Sequence, residues 1–189
     1  MSYDLILVRP KLGEDPLITA RHKNDEQGDQ IHELDPAKEA LKLKVTEELI
    51  KENPSLERFP FDYEEIAKLR NISIEEARLL FRNIELNTPD DGNGIQIELF
   101  DDEFTVTVPY WHAGAKTEST FQEIWKYLEI IQRESGFVLY DPQLDAILDI
   151  ARGYRESLGV YTGTRQAMKN IHPKAVSDNP VKKWWQFWK

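Results

Sequence analysis

The stretch that decides the fold is IQIELFDDEFTVTV, residues 95–108. In its first half apolar residues alternate with Gln96 and Glu98, and in its second half they alternate with Thr105 and Thr107. Alternation with a period of two is typical of strands that have one buried and one solvated face. The aspartate pair between the halves favours a reversal of the chain. The stretch therefore predicts an antiparallel β-hairpin.

Helices are predicted on both sides of this hairpin. Before it, Asp35-Pro36 is typical of a helix start, and apolar residues recur every four positions until Asn53. After it, Ser119 and Gln122 are expected to form a capping box at the start of a long amphipathic helix. The apolar face of that helix consists of five residues at helical spacing, which are Phe121, Ile124, Trp125, Leu128 and Ile131.

Two further strands complete the predicted sheet. Residues 3–8 and residues 137–140 are rich in strand-forming side chains, residues 10–34 resemble a long loop, and residues 143–151 indicate a short helix. The order β-α-β-β-α-β is that of a ferredoxin-like sandwich, in which two helices cover one face of a four-stranded antiparallel sheet. The sequence predicts such an α+β domain over residues 1–151.

A helical hairpin is predicted as an insertion in this domain, over about residues 60–86. Asp62 is placed to cap its first helix, and Ser73 with Glu76 forms a capping box for its second. The spacing matches a helix-turn-helix, but Glu75 and Glu76 in the first turn of the second helix would repel DNA. The sequence therefore argues against nucleic-acid binding.

The C-terminal part is expected to lie outside the domain. Residues 152–179 are polar and predict a linker or a surface wrap, and residues 180–189, PVKKWWQFWK, hold three of the five tryptophans. On a helix, Trp184, Trp185 and Trp188 share one apolar face, so the tail is predicted to be amphipathic. Its aromatic area suits the protein's own domain, a partner protein or a lipid headgroup layer.

The charge and the lack of cysteine limit the class of protein. The formal net charge is −10, and because the tail contributes +3, residues 1–180 carry −13. A body this acidic steers basic partners toward itself, although solubility alone also explains the charge. There is no cysteine, signal peptide or apolar run long enough to span a membrane. These features predict a cytoplasmic protein.

Two aromatic clusters follow predicted strands. Tyr110, Trp111 and His112 come after the third strand, and Tyr140-Asp141 ends the fourth. We expect strands three and four to run antiparallel to one another, which would separate the clusters to opposite edges. Residues at strand ends often bind partners, so Tyr110, Trp111 and His112 are predicted partner-binding residues together with the three tail tryptophans. No catalytic residue is assigned.

No motif indicates a metal or a cofactor. The four histidines lack metal-binding spacing, and residues 87–98 place the wrong residues at two ligand positions of a calcium loop. Phosphate-loop, dinucleotide and nucleophile-elbow motifs are also missing from the sequence. We therefore predict no cofactor and no metal site.

Four short segments resemble known sequences. The opening MSYDL, the segment IELN, the strand end PYW and the later YDPQ are together similar to a group of small uncharacterised bacterial proteins. Several chains with this layout resemble immunity-type proteins, which bind and neutralise a secreted toxin. The likeness covers residues 1–143, and it implies a protein partner without assigning a role to any residue.

These observations predict a non-enzymatic binding protein of the bacterial cytoplasm. The specific prediction is an immunity or inhibitor protein whose acidic surface occludes a basic toxin. One alternative is a small enzyme that uses the strand-end residues Tyr110, His112 or Asp141. The other is a peripheral membrane or scaffold protein docked by the Trp-rich tail. A broad acidic surface would favour the binding protein, and a closed cleft would favour the enzyme. The sequence does not indicate the oligomeric state.

Overall fold

The structure is a computed structural model that describes residues 1–25, 33–89 and 92–171. Within these ranges the chain forms seven strands and six helices. The strands are β1 (Ser2–Val8), β2 (Glu57–Arg58), β3 (Ile84–Asn87), β4 (Gln96–Leu99), β5 (Glu103–Pro109), β6 (Val138–Asp141) and β7 (Ala146–Leu148). The helices are α1 (Pro16–Asp25), α2 (Pro36–Glu52), α3 (Tyr63–Arg70), α4 (Ile74–Leu80), α5 (Ala115–Ser135) and α6 (Ile150–Ile171).

The strands form one antiparallel sheet in the order β2-β3-β4-β5-β1-β6-β7. The central pair is β1 and β5, in register from Ser2 opposite Pro109 to Val8 opposite Glu103. The predicted hairpin is confirmed as β4 and β5, with Leu99 opposite Phe104. The fold is α+β as predicted, but a four-stranded sheet is wrong because β2, β3 and β7 widen it at both edges.

Three helices and one sheet face enclose the main core. Apolar side chains of β1, β3, β4, β5 and β6 meet those of α2, α5 and α6 in a single buried cluster. The face of α5 predicted from helical spacing is confirmed, because its five apolar residues are all buried. On the opposite sheet face, α1 contacts β1, β6 and β7. The buried Ala20 of α1 packs there with Ile6, Val8 and Tyr140.

The expected long loop over residues 10–34 contains α1. Asp15 precedes this helix, and its carboxylate accepts a hydrogen bond from the Leu17 N–H at 2.9 Å. Sequence patterning did not indicate α1 because it has little amphipathic contrast, and its burial depends mainly on Ala20 and Thr19. Packing against the sheet therefore stabilises a segment whose local sequence does not signal a helix.

The predicted linker over residues 152–179 is wrong for its first part. Residues 152–171 belong to α6, whose buried residues recur at helical spacing, namely Ile150, Gly153, Ser157, Tyr161 and Arg165. Most of these are polar or small, so the buried stripe does not read as apolar in the sequence. A Cβ atom at Gly153 would meet the Leu148 Cβ at 3.0 Å, so this position lets α6 approach β7. Residues 172–179 and the tail with Trp184, Trp185 and Trp188 lie outside the described residues.

The inserted helical hairpin is confirmed as α3 and α4, although it ends earlier than predicted. Asp62 caps α3, and Ser73 with Glu76 forms the capping box of α4. Ile84, which lies inside the predicted hairpin, instead begins β3. The capping box expected at Ser119 is wrong, because α5 begins at Ala115 and the Ser119 hydroxyl donates to a carbonyl inside the helix.

The sequence has no apolar run long enough to span a membrane, and the helices of the described ranges agree with this. None of these helices is both long enough and apolar enough to cross a bilayer.

Candidate functional site

Part of one sheet face is polar and partly open to solvent. Because side chains alternate across a strand, the residues that point away from the main core on β3, β4, β5 and the start of β1 share this face. Four of them are acidic and the others are uncharged polar residues that surround the acids. We call this surface the acidic face, and it consists of Asp4, Glu85, Asn87, Gln96, Glu98, Glu103, Thr105 and Thr107.

Two carboxylates of the acidic face lie directly opposite one another. Glu85 of β3 pairs with Glu98 of β4 in the sheet register. Like charges at such a position destabilise a sheet, since the side chains lie close together. Burial, reinforced by the charges of Glu85, Glu103 and Asp4, raises the pKa of Glu98 to about 7. Burial also raises the pKa of Glu85. At neutral pH Glu98 is therefore poised between its protonated and charged forms.

The hydrogen-bond donors that reach these acids are uncharged. The Asn87 amide donates to Glu85 Oε1 at 2.7 Å, and the Thr107 hydroxyl donates to Asp4 Oδ1 at 2.8 Å. Among the described residues, no lysine or arginine forms an ion pair with Asp4, Glu85 or Glu98. These three acids thus lack the countercharge that a cation would supply.

Two aspartates elsewhere in the protein are paired with cations. Asp102 lies 2.8 Å from the Arg9 guanidinium and 2.6 Å from the Lys38 ammonium. Asp145 forms a two-point contact with Arg21, at 2.8 and 2.6 Å. The guanidinium and the ammonium groups hold the pKa of each of these aspartates below its usual range. The acids of the acidic face differ from these two in having only uncharged donors, and they differ from unpaired acids elsewhere in lying opposite one another on the sheet.

The predicted partner-binding residues at the end of β5 are mostly enclosed. Tyr110 and His112 are buried, and Trp111 is half-buried. The His112 Nε2–H donates to the Asn93 carbonyl at 2.6 Å, and burial lowers the pKa of this imidazole. Partner binding through these residues stays a prediction, and among the three a partner would reach Trp111 most readily.

The two strand-end clusters come together, so their expected separation is wrong. Both β5 and β6 pair antiparallel with β1, so they run parallel to one another. The C-terminal ends of the two strands therefore lie on the same side of the sheet. Tyr3 joins the clusters, because its ring lies 6.1 Å from that of Tyr110 and its hydroxyl donates to Asp141 Oδ2 at 2.5 Å. The error came from the strand directions assumed for the predicted sheet.

Asp141 is the centre of a buried hydrogen-bond network. It is 0% exposed, and its second donor at Oδ2 is the Ser157 hydroxyl at 2.7 Å. Its Oδ1 accepts the backbone N–H groups of Gln143 and Leu144. Burial and the neighbouring Asp141 raise the pKa of Tyr3, so the phenol remains a donor. The network fastens β1, β6 and α6 to one another, which is a structural role.

Metal binding finds no support in the described ranges. No group of three or more histidine, aspartate or glutamate side chains there has the geometry to hold a metal ion. The carboxylates of the acidic face are spread over four strands, from β3 to β1.

Sequence reasoning found one half of the acidic face and missed the other. The hairpin alternation placed Gln96, Glu98, Thr105 and Thr107 on the polar side, as the structure has them. Glu85 was missed because its segment was assigned to a helix. The signal that identifies it is the short alternating run IELN, in which apolar residues occupy every second position.

Comparisons with family models, with curated proteins and with solved structures return no match to this chain.

Proposed function

We propose that this chain is a non-enzymatic protein-binding protein whose acidic face receives a basic surface of a partner. The observation that carries the proposal is the direct opposition of Glu85 and Glu98 without a cation. A lysine or arginine placed between these carboxylates would supply the missing countercharge and return their pKa values toward the usual range. Binding would thereby relieve a repulsion that the free protein carries.

The shape of the acidic face favours a protein partner over a small substrate. Small-molecule sites are concave and enclose most of their ligand, whereas protein interfaces are broad and have polar rims. This face follows several adjacent strands, and Thr105, Thr107 and Gln96 border its acids. A row of half-exposed side chains on a hydrogen-bonded sheet is rigid, so little conformational entropy is lost on docking.

The partner class that we propose is a basic toxin, and the protein would act as an immunity or inhibitor protein in the bacterial cytoplasm. The resemblance of residues 1–143 to immunity-type proteins and the charge of −13 over residues 1–180 support this choice. The Trp-rich tail, through Trp184, Trp185 and Trp188, and Trp111 at the end of β5 would add aromatic contacts to the same partner.

We also infer that the centre of the domain is a ferredoxin-like core with added elements. The predicted strands correspond to β1, β4, β5 and β6, which are neighbours in the order β4-β5-β1-β6. The packing of α2 and α5 in one core cluster on one sheet face supports this interpretation. In this view β2, β3 and β7 extend the sheet at its two edges.

The test uses a ten-residue oligolysine as the probe and isothermal titration calorimetry at pH 7 in two buffers of different ionisation enthalpy. We expect binding to release about half a proton, since Glu98 has a pKa of about 7 and becomes fully charged beside a cation. The double variant Glu85→Gln/Glu98→Gln should bind about tenfold more weakly and release no proton.

The control is Glu129→Gln/Glu156→Gln, which removes two exposed acids from α5 and α6. It removes the same number of carboxyl groups, and at pH 7 it removes at least as much charge because Glu98 is partly protonated there. An effect of overall charge would therefore be at least as large in the control as in Glu85→Gln/Glu98→Gln. Equal weakening in the two variants, or binding without proton release, would show that the acidic face is not the binding surface.

A further inference from the structure

A cleft of about 330 Å³ opens beside the edge strand β2, where the α3–α4 hairpin joins the sheet. Its walls are made by residues that precede β3 and by the segment between β2 and α3. Three of the lining residues are aromatic and three are polar, namely Phe59, Phe61, Tyr63, Arg58, Arg82 and Asn83. This mixture of apolar walls and a few polar groups is typical of sites for small organic ligands.

The aromatic wall presents an exposed ring to the cleft. The Phe59 and Phe61 centroids are 5.2 Å apart in an edge-to-face arrangement, and Phe61 lies 6.2 Å from Phe81. Phe59 nevertheless remains 40% exposed, so the cluster leaves apolar area uncovered. The guanidinium of Arg78 lies 5.8 Å from the Tyr63 ring centroid, on the hairpin side of the cluster. A planar apolar group is therefore the natural complement of this wall.

One lining residue carries an unused positive charge. Arg82 is engaged, because it pairs with Asp101 and lies 3.9 Å from Glu39. The buried Lys42 contacts the same two acids, so this group of two cations and two carboxylates is neutral. In contrast, Arg58 is exposed and forms no ion pair or hydrogen bond with the described part of the chain. The free charge at the cleft is thus that of Arg58.

A second lining residue offers a hydrogen-bonding group that the protein itself does not use. Asn83 is only 9% exposed, and its side-chain amide has no hydrogen-bond partner among the described residues. Its amide atoms are not among the fully buried atoms that lack a partner, so they remain open to solvent and to a ligand. The amide lines the cleft, where it can both donate to and accept from a ligand.

We propose that this cleft binds a small ligand that joins an apolar ring, an amide-like group and a carboxylate. The ring would lie against Phe59 and Phe61, Asn83 would pair with the amide-like group, and Arg58 would bind the carboxylate. This inference goes beyond the proposed protein-binding function and does not depend on it, since it uses none of the residues of the acidic face.

The experiment is a titration of the full chain with hippurate (N-benzoylglycine), followed by nuclear magnetic resonance of backbone and side-chain amides. We expect saturable shifts at the Asn83 side-chain amide with a Kd of about 1 mM, the affinity that a ligand of this size attains with modest efficiency. Hippuramide, which has the same ring and amide but no charge, should bind about fivefold more weakly.

Two variants separate the role of Arg58 from general charge. Arg58→Gln should weaken hippurate about fivefold and leave hippuramide unchanged. Arg155→Gln removes an exposed arginine from α6 and should change neither ligand. The proposal is overturned if hippurate gives no saturable shift at Asn83 up to about 20 mM. It is also overturned if both ligands bind equally to the unsubstituted protein, or if Arg58→Gln has no effect.

Discussion

At the scale of single residues, the ionisation of Glu98 links the acidic face to the stability of the fold. The pKa of this carboxyl is about 7 in the folded protein and 4.5 in an unperturbed chain. Between these two values the folded state binds more protons than the unfolded state, so the free energy of unfolding falls as the pH rises. The loss is nearly complete about one pH unit above 7, where Glu98 is charged in both states.

The substitution Glu98→Gln tests this linkage, because glutamine resembles the protonated side chain at every pH. We expect the variant to have a free energy of unfolding about 1 to 3 kcal/mol higher than the original at pH 8, and a difference near zero at pH 4.5. Urea denaturation at the two pH values measures this difference in the free energy of unfolding. Glu129→Gln, an exposed substitution on α5, is the control. An equal effect of Glu98→Gln at both pH values would contradict the assignment.

The sequence predicted the orientation of individual residues where the cause is local. Alternation in the hairpin correctly placed Glu98 on the polar side. It did not predict that Glu98 lies opposite Glu85, because cross-strand partners depend on a register between separate segments. The same limit applies to Asp141, whose donors come from β1, from α6 and from its own turn.

At the scale of elements, the α3–α4 hairpin depends strongly on its own caps. Its two helices mainly contact one another, and each buries a single alanine, Ala67 or Ala77. Leu69, Ile74 and Leu79 remain exposed. With so little apolar burial, the capping hydrogen bonds provide a large share of the stability of this unit.

Ser73→Ala should therefore open α4 locally without unfolding the sheet. The substitution removes the hydroxyl that accepts the Glu76 N–H at 3.1 Å, a loss of about 1 kcal/mol. We expect amide hydrogen exchange in α4 to become about fivefold faster, while exchange in β1 is unchanged. Ser119→Ala is a matched control, since Ser119 is exposed within α5 and caps no helix. Equally accelerated exchange in β1 would show that the hairpin does not open independently.

The elements that sequence reasoning identified have strong local signals, and those it missed do not. Asp62, Ser73 and the apolar face of α5 marked their helices correctly. The strand β7 was assigned to a helix, because three residues are too few to display a period. For α6, Ser157 and Arg165 occupy buried positions, so the helical stripe is not apolar.

At the scale of the whole molecule, the sheet order depends on contacts between distant segments. The hairpin β4–β5 is local, but β1 inserts between β5 and β6, which are far from it in sequence. Because β5 and β6 both run antiparallel to β1, Tyr3, Tyr110 and Asp141 come together at one end of these strands. Their convergence requires the correct relative direction of β5 and β6, which the sequence analysis did not have.

The same convergence makes α6 an integral part of the domain. Tyr161 is fully buried, its ring stacks on Tyr110 at 4.9 Å, and its hydroxyl donates to the Pro109 carbonyl at 2.6 Å. Ser157 of the same helix completes the network around Asp141. Loss of a buried tyrosine alone costs about 3 to 5 kcal/mol, a large fraction of the stability of a small domain.

A chain truncated after Asp149 should therefore lose its specific tertiary structure. It keeps every strand that the structure describes but exposes the core around Tyr3 and leaves the buried Asp141 without its Ser157 donor. We expect the near-ultraviolet circular dichroism signal to disappear and urea unfolding to lose cooperativity, because core packing and a buried hydrogen-bond network are disrupted together. Glu156→Ala changes only the exposed side of α6 and should preserve both properties. If the truncated chain unfolded cooperatively, α6 would be the detachable segment that its polar sequence suggests, and the buried contacts of Tyr161 would contribute little to the fold.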